Sequence, residues 1–246
     1  IELITEQTTA LINQYITKGL DLNIEMKDSG VEWIGKIPKH WNTIKFKYIT
    51  SLMTCGHAAT PEYVDDGVMF LSAQNIKNGK LEITKFRKIK YELHSLLSKR
   101  NKIKKGDLLQ VRVGGASTIG ETCIVDIDLD FSIYVSLSHI KLNEIADKKY
   151  IKFLCNSSRF REACSVEMKK GGGVANLNVS DLERYKIPLP PKNEQKTISN
   201  FLEQKNFLIE KLQEKLKLKI DLLREYRQSL ISYVVTGKIR ITEDMI

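Results

Sequence analysis

The sequence predicts an α+β protein in which a globular mixed α/β domain is followed by a long helix that forms an antiparallel coiled coil. Apolar residues recur at helical spacing over the first 20 positions, and β-rich segments separated by turn residues fill positions 67–140. Neither glycine nor proline occurs between Glu194 and Gly237. These three observations define the fold class, and a length of 246 residues leaves room for one or two domains.

The first predicted element is a helix over residues 1–20, whose apolar positions are Leu3, Ile4, Leu11, Ile12, Tyr15 and Ile16. A polar connector leads to the stretch DSGVEWIGKIPKHW, from Asp28 to Trp41. Its two tryptophans and its proline predict an irregular segment anchored against a core rather than a regular element, because tryptophan carries a large apolar surface.

The middle of the chain predicts strands, then a helix and a basic loop. The predicted strands lie in VMFLSA, from Val68, in GDLLQVRV, from Gly106, and in ETCIVDI and SIYVSLSHIKL. Residues 147–167 are predicted to be helical, and residues 169–174 to form a basic loop with three consecutive glycines. The prolines of KIPLPP then force the chain into an extended exit.

The last predicted element is a helix of about 40 residues, roughly 60 Å long at 1.5 Å per residue. Its apolar residues step alternately by three and four positions, which is typical of a coiled-coil seam. A helix of this length needs a partner helix. The residues assigned to helix packing are Leu202, Ile209, Leu212, Leu216, Leu223 and Leu230.

A segment near the start of the chain recurs near its end. ALINQYITKGLDL, from Ala10, aligns without a gap with SLISYVVTGKIRI, from Ser229, at a constant offset of 219 residues. The matches include polar positions such as Thr17 with Thr236. The repeat indicates one supersecondary unit used twice. Because residue 1 is Ile, we expect the chain to begin inside a longer protein.

The chain is basic, with a net charge of +9 and a pI of about 9.2. Between Gln74 and Lys105 there are eleven Lys or Arg residues and only two acidic ones. This distribution favours nucleic acid over a membrane surface as the partner, and no apolar run approaches the roughly 18 residues that span a bilayer. Four cysteines without a C-x-x-C pair predict unpaired thiols in a cytoplasmic protein and no metal site.

Motifs of several enzyme classes are absent from the sequence. It holds no N-P-P-Y or D-P-P-Y tetrapeptide for amino-group methylation, no G-x-G-x-x-G after a strand, and no Gly-Lys-Ser/Thr of a phosphate-binding loop. Asp126, Asp128 and Asp130 leave a metal-dependent nuclease as an alternative, although their alternation fits a solvated strand face equally well. A coiled-coil adaptor that binds protein is a second alternative. No catalytic residue is assigned.

Five stretches, in order, resemble the specificity subunit of type I restriction-modification systems. They are DSGVEWIGKIPKHW, LSAQNI, RVGGASTIG, GGGVANLNVSDLERYKIPLPPKNEQKTISNFL and LISYVVTGKI. In such subunits two target recognition domains are each followed by a long helix, and the two helices pair antiparallel. The resemblance implies the end of a preceding conserved helix at 1–24, a target recognition domain at 25–192, and a spacer or dimerisation helix with its tail at 193–246.

The resemblance also implies a function without catalysis. The chain would read one half of a bipartite target in double-stranded DNA. Modification subunits would supply S-adenosylmethionine and methylate adenine, and a restriction subunit would supply ATP- and magnesium-dependent work; no cofactor is expected on this chain. Whether the chain is a shortened full subunit or a half-subunit that self-dimerises through the long helix stays open.

The candidate DNA-binding residues lie on loops beside the basic segment. Amide and guanidinium groups distinguish base edges in the major groove, while lysines next to glycines suit phosphates. For each residue a solvated loop side chain is the competing interpretation. The set is His57, Thr60, Gln74, Asn75, Lys77, Arg112, Ser117, Thr118, Lys169 and Lys170.

Overall fold

The computed structural model describes residues 2–21, 23–115, 117–169 and 176–239. The chain forms two compact units, one of Ile1–Thr8 with Leu202–Ile246 and one of Thr9–Phe201. Both boundaries fall inside helices. The second unit holds every strand described below, and it is the mixed α/β part of the molecule.

The helices and strands follow the predicted order, except that a helix, Tyr91–Asn101, lies within residues 67–140, where the sequence predicts strands and loops. Leu93, Leu96 and Leu97 recur at helical spacing, which explains the difference. The helices are α1 Glu2–Lys18, α2 Tyr91–Asn101, α3 Lys148–Asn156, α4 Ser158–Lys169, α5 Val179–Arg184 and α6 Lys192–Val235. The strands of the first half are β1 Met26–Asp28, β2 Lys36–Pro38, β3 Asn42–Lys45, β4 Thr50–Cys55, β5 Tyr63–Leu71, β6 Ile76–Lys77, β7 Lys80–Leu81 and β8 Arg87–Ile89. The remaining strands are β9 Leu108–Val111, β10 Thr122–Ile124, β11 Phe131–Ile133, β12 Leu137–Leu142 and β13 Lys186–Leu189.

Two sheets form the centre of the second unit. The larger has the order β10-β9-β12-β4 with antiparallel neighbours throughout. The smaller has the order β11-β5-β8, with β11 parallel and β8 antiparallel to β5. Side chains from both sheets share one apolar core: Leu71, Ile76, Leu109, Val111, Cys123, Val125, Phe131, Ile133 and Leu137. At about 1.5–3 kcal/mol for each large side chain, this burial holds the two sheets together.

The tryptophan-containing stretch is more regular than the sequence predicts. Strand β1, which ends at the first residue of the stretch, pairs antiparallel with β2 inside it, with Met26 opposite Pro38 and Asp28 opposite Lys36. The predicted anchoring against a core is present, since Trp41 is fully buried and the ring of Trp33 meets that of Phe160 at 5.5 Å. A hairpin is compatible with Pro38 because the proline lies at the end of a two-stranded ribbon.

The predicted single helix over 147–167 is two helices, α3 and α4, broken at Ser157. The backbone of Ser157 is extended (φ −66°, ψ 144°), so it cannot continue α3. Its hydroxyl donates to the carbonyl of Leu154 at 2.7 Å and accepts from the amide of Phe160 at 3.3 Å. Ser157 therefore ends one helix and caps the next.

The repeated segments end their helices with the same hydrogen bond. The hydroxyl of Thr17 donates to the carbonyl of Asn13 at 2.7 Å, and the hydroxyl of Thr236 donates to that of Ser232, also at 2.7 Å. Their surroundings differ, because Ile16 is fully buried whereas the matching Val235 is 80% exposed. The sequence repeat is thus a repeat of local structure, with only the first copy enclosed by the described residues.

The first copy is held by Tyr150 of α3. The buried hydroxyl of Tyr150 lies 3.0 Å from the carbonyl oxygen of Ile16 and 3.3 Å from that of Pro188. Burial raises the pKa of Tyr150 well above its ordinary value, so the phenol stays protonated and can donate. The end of α1 and the strand that leads into α6 are therefore joined through one side chain.

The long helix α6 spans 44 residues, as its lack of glycine and proline predicts. Of its predicted packing residues, Leu202 is buried, and Ile209 and Leu216 are half-buried. The other three, Leu212, Leu223 and Leu230, are exposed by 37–56%. Their packing stays a prediction that concerns a partner helix.

Candidate nucleic-acid interface

Three loops meet at the segment Tyr134–Ser136, which links the two sheets. The carbonyl of His57 accepts from the amide of Val135 at 2.9 Å, and Nη1 of Arg112 donates to the carbonyl of Val135 at 3.2 Å. The amide of Ala73 donates to the hydroxyl of Ser136 at 3.0 Å. The structure therefore brings together the loops that hold residues 56–60, 73–75, and 112–115 with 117–118, which we call the loop junction.

A close backbone approach places His57 at the loop junction. A Cβ on Gly56 would lie 2.3 Å from the carbonyl oxygen of Ile133, so only glycine fits where the end of β4 crosses β11. The amide of His57 then donates to the same carbonyl at 2.9 Å, and His57 forms an isolated parallel bridge with Tyr134. The imidazole is half-buried. Thr60, three residues on, is exposed and makes no side-chain hydrogen bond among the described residues.

Gln74 and Asn75 have opposite environments although the sequence assigns both to one loop. Gln74 is exposed, and its amide has no hydrogen-bond partner in the described part of the chain. Asn75 is 2% exposed; its Oδ1 accepts from the amide of Ser72 at 3.0 Å, and its Nδ2 donates to the carbonyls of Glu82 and Lys85 at 2.9 and 2.7 Å. We therefore correct the assignment of Asn75, because its amide is used by the fold and cannot reach a base.

Arg112 is shared between the fold and the loop junction. It is half-buried, its Nη1 is bound to Val135, and its Nε is buried without a partner. Its backbone carbonyl accepts from the amide of Leu177 at 2.9 Å, and Val113 bridges Asn176. The guanidinium is thus fixed in direction, and only its remaining donors are left for a ligand.

Ser117 and Thr118 lie on an exposed loop that is held from behind. Arg161 of α4 donates from Nε to the carbonyl of Ile119 at 3.1 Å and from Nη2 to the carbonyl of Ser117. Thr118 donates to the carbonyl of Gly115 at 3.2 Å. The sequence does not indicate that Arg161 supports this loop, because the two lie 44 positions apart and no motif connects them.

The remaining candidates lie outside the loop junction. Lys77 is on the β6-β7 hairpin, where its ammonium pairs with Glu82 at 3.0 Å, and Asn75 connects this hairpin to the loop junction. Lys169 is the last residue of α4 rather than the start of a loop, so that expectation is corrected. Lys170 and the glycines that follow it lie outside the described residues.

The basic segment 74–105 is only partly neutralised by acidic side chains. Lys77 pairs with Glu82, Lys90 with Glu62 at 2.6 Å, and Lys102 with Asp130 at 2.9 Å, all at exposed positions. Exposed pairs contribute about 0–1 kcal/mol, so a phosphate can compete for these lysines. Lys88 donates to a backbone carbonyl and Arg87 lies over the ring of Tyr63, and neither forms an ion pair within the described ranges. Five further cations there have no ion pair, side-chain hydrogen bond or aromatic contact: Lys85, Lys99, Arg100, Lys104 and Lys105.

The loop junction and the basic segment both border a cleft of about 290 Å³. Its walls are the end of β4, the C-terminal half of α2 and strand β11, and they include His57, Arg100, Asn101 and Ser132. The cleft brings the guanidinium of Arg100 and the amide of Asn101 near His57. The sequence does not single out either Arg100 or Asn101. The only sequence indication is the dense positive charge of the segment.

Other chemistry finds little support among the described residues. No group of three or more His, Cys, Asp or Glu side chains in them could hold a metal ion, and none of their helices is both long and apolar enough to cross a bilayer. All four cysteines are unpaired. Burial raises the pKa of Cys123 and that of Cys155 to about 12, so both remain protonated thiols.

Comparisons with known proteins agree on one family. A family model described as the type I restriction modification DNA specificity domain matches residues 38–220. The chain is 26% identical to the MjaVIII type I restriction enzyme specificity subunit of Methanocaldococcus jannaschii over 248 residues, which covers 98% of this chain and 55% of that protein.

Solved structures share the fold. A chain from a study of complex assembly in the type I R-M system superposes with a TM-score of 0.64 at 17% identity, covering 94% of this chain and 53% of that one. The HsdS subunit from Thermoanaerobacter tengcongensis gives 0.58 at 15% identity, covering 97% and 54%. The predicted mixed α/β fold with a long C-terminal helix is confirmed, whereas pairing of that helix in a coiled coil stays a prediction. This chain spans about half the length of the proteins it matches.

Proposed function

Because the chain belongs to the type I restriction modification DNA specificity family, we propose that it recognises one half of a bipartite target in double-stranded DNA. The observation that carries the proposal is the convergence of three polar loops on Tyr134–Ser136, inside the matched residues and beside a basic segment. Sequence-specific binding needs both parts: cations to hold phosphates, and side chains with free donors and acceptors to reach base edges.

The reading residues in this proposal are those with polar groups that the fold leaves free. Gln74 is the best candidate for adenine, since its exposed amide can both accept from N6 and donate to N7. Beside it we place His57, Thr60, Arg112, Ser117 and Thr118. Lys77, Lys169 and Lys170 act on phosphates, together with the five unpaired cations of the basic segment. Asn75 shapes the loop from which Gln74 projects.

The division of labour with partner subunits is also part of the proposal. Residues 25–192 constitute the recognition domain, and the chain itself is not an enzyme. Modification subunits bind S-adenosylmethionine and methylate adenine, while a restriction subunit uses ATP and magnesium. The relatives are named as specificity subunits of restriction enzymes, which supports this assignment for the chain.

We propose antiparallel helix pairing through α1 and α6. Within one unit the rings of Tyr15 and Phe201 meet at 4.9 Å, and within the other Gln213 lies 3.5 Å from the hydroxyl of Thr5. The contact nearer the end of α1, at Tyr15, is with the start of α6, and the contact nearer the start of α1, at Thr5, is with a later residue of α6. This order supports helices that run in opposite directions. Beyond Leu216 the exposed apolar residues of α6 require a further helix, supplied either by a longer chain or by self-dimerisation.

The test is a selection of bound sequences from randomised DNA duplexes. The chain, alone and with its modification subunits, should enrich a short motif, and deletion of the gene should abolish adenine methylation at a split site that contains this motif. Binding without sequence preference, or unchanged methylation, would overturn the proposal. Metal-dependent cutting by the isolated chain would favour a nuclease, and protein binding without DNA binding would favour an adaptor.

A further inference from the structure

We propose that Arg87 is a base-reading residue of this interface and recognises a guanine. The inference rests on the proposed function and adds a residue that neither the sequence pattern nor the comparisons single out. It is carried by the way the structure orders this guanidinium without using any of its hydrogen-bond donors.

Arg87 is fixed by an aromatic ring. It is the first residue of β8, is exposed, and lies opposite Phe70 of β5. Its Cζ is 4.4 Å from the centre of the Tyr63 ring, which is the geometry of a cation–π contact. This contact uses the face of the guanidinium and leaves the five N–H donors at its edge free. Among the described residues its side chain makes no hydrogen bond or ion pair.

The neighbouring polar side chains differ, because each is bonded within the fold. Lys88 donates to the carbonyl of Asp65 at 3.0 Å, and Lys90 pairs with Glu62 at 2.6 Å. The hydroxyl of Tyr91 donates to Asp66 at 3.1 Å. These three acceptors, on Glu62, Asp65 and Asp66, are therefore taken by residues other than Arg87. The guanidinium is ordered while its donors remain available.

A bulge in β5 sets the position of Tyr63. Both Tyr63 and Val68 lie opposite Ile89, so four residues of β5 stand outside the ladder between them. Gly67 permits this arrangement, since a Cβ there would lie 2.3 Å from the carbonyl oxygen of Ile89. The bulge returns Tyr63 to the strand that carries Arg87.

A row of aromatic contacts connects Arg87 with the loop junction. The rings of Tyr63 and Phe70 are 6.4 Å apart, those of Phe70 and Tyr134 are 6.1 Å apart, and Tyr134 bridges His57. Arg87 and His57 thus belong to one continuous packed strip of the second unit. A planar, ordered fork with two free N–H groups matches the O6 and N7 acceptors of guanine, which a flexible lysine does not.

The experiment compares variants on the DNA motif that the wild-type chain selects and on the same duplex with each guanine replaced. Arg87→Lys keeps the charge and removes the planar fork. It should weaken binding to the motif by about 5- to 150-fold at one guanine position, with binding to unrelated DNA and its salt dependence unchanged. Tyr63→Leu should lower the same guanine preference, whereas Tyr63→Phe, which keeps the ring, should not.

Lys99→Ala is the matched control, since it removes an unpaired cation from the same segment and should weaken binding to all sequences alike. Thermal unfolding followed by circular dichroism establishes that the variants are folded. If Arg87→Lys keeps the full preference, or weakens target and unrelated DNA equally, Arg87 does not read a base. If the wild-type chain selects no sequence at all, the proposed function fails as well, so the two failures are distinguishable.

Discussion

Gln74 and Asn75 are adjacent in sequence and chemically similar, yet they serve different ends. Gln74 exposes an amide that has no partner among the described residues, whereas the amide of Asn75 makes three hydrogen bonds to the backbone around the turn that follows β5. A buried amide that loses its partners leaves backbone groups unsatisfied, which costs about 1–3 kcal/mol. Substitution of Gln74 should therefore affect DNA recognition, and substitution of Asn75 should affect the free energy of unfolding.

We expect Gln74→Ala to leave the free energy of unfolding unchanged and to reduce discrimination at one adenine by about 1–3 kcal/mol. Asn75→Ala should instead lower the free energy of unfolding by about 1–3 kcal/mol. Urea denaturation and binding to singly substituted duplexes measure the two effects. A loss of stability in Gln74→Ala, or full stability in Asn75→Ala, would contradict this division.

Asp107, which is half-buried, and His139 form a pair that predicts a pH dependence of stability. Nε2 of His139, which is fully buried, lies 2.7 Å from Oδ2 of Asp107. Burial acts to raise the pKa of Asp107, but hydrogen bonds from His139 and from the amide of Lys104 outweigh it, and the pKa lies below its ordinary value. Folding therefore favours the ionised carboxylate.

Replacement of this carboxylate should have an effect that disappears in acid. Asp107→Asn should lower the free energy of unfolding at pH 7 by about 1–3 kcal/mol, because His139 loses a charged partner. A depressed pKa contributes stability above the ordinary carboxyl value of 3.8 and loses it as pH falls through the folded value. The difference between wild type and variant should thus narrow as the pH falls below about 4, as urea denaturation would show.

Side chains are the hardest part of this protein to predict from its sequence. Polarity and position next to a strand place His57, Gln74 and Arg112 on loops that the fold does bring together. The same reasoning fails for Asn75 and misses Arg87, because burial and stacking depend on residues such as Glu82 and Tyr63 that a linear pattern does not connect.

At the scale of elements, prediction succeeds where a local rule decides. The absence of glycine and proline gives α6 its length, and a glycine at positive φ follows the helix in both copies of the repeat, Gly19 in the first and Gly237 in the second. Helical spacing of apolar residues is an insufficient guide where a single polar residue interrupts the pattern. Ser157 divides α3 from α4 through hydrogen bonds to Leu154 and Phe160, although the flanking residues have helical spacing on both sides.

The exposed half of α6 makes its own prediction. Leu223 and Leu230 are 56% and 37% exposed, and burying each against a partner helix would contribute about 1.5–3 kcal/mol. If a second copy covers them, Leu223→Glu with Leu230→Glu should raise the dissociation constant of the dimer at least about tenfold. Light scattering after size-exclusion chromatography measures the mass.

Gln228→Glu is the control for this experiment, because Gln228 is exposed and lies off the predicted seam. It adds a negative charge to the same stretch of helix without removing an apolar contact. A wild-type chain that stays monomeric at tens of micromolar would exclude a second copy as the partner and leave a longer chain as the source of the helix.

At the scale of the whole molecule, the net charge of +9 is distributed unevenly. Its effect on DNA binding can be tested through the salt dependence of the binding constant K. Each lysine that neutralises a phosphate should contribute about 0.9 to the slope of log K against log salt. Alanine at Lys99, Lys104 and Lys105 should therefore reduce the slope by about 1 for each lysine in contact with DNA. Lys217→Ala changes the net charge equally but lies on α6 in the other unit, and it should leave the slope unchanged.

The shared hydroxyl of Tyr150 has a mechanical consequence. Because this hydroxyl lies within hydrogen-bonding distance of the carbonyl oxygens of Ile16 and Pro188, one side chain holds together the end of α1 and the strand that leads into α6. A force that pulls on α1 and on the start of α6 would be transmitted through these hydrogen bonds of Tyr150 and not through the strands that support the loops. Under the proposed function, the loops would therefore keep their shape on DNA when partner subunits pull on the helices.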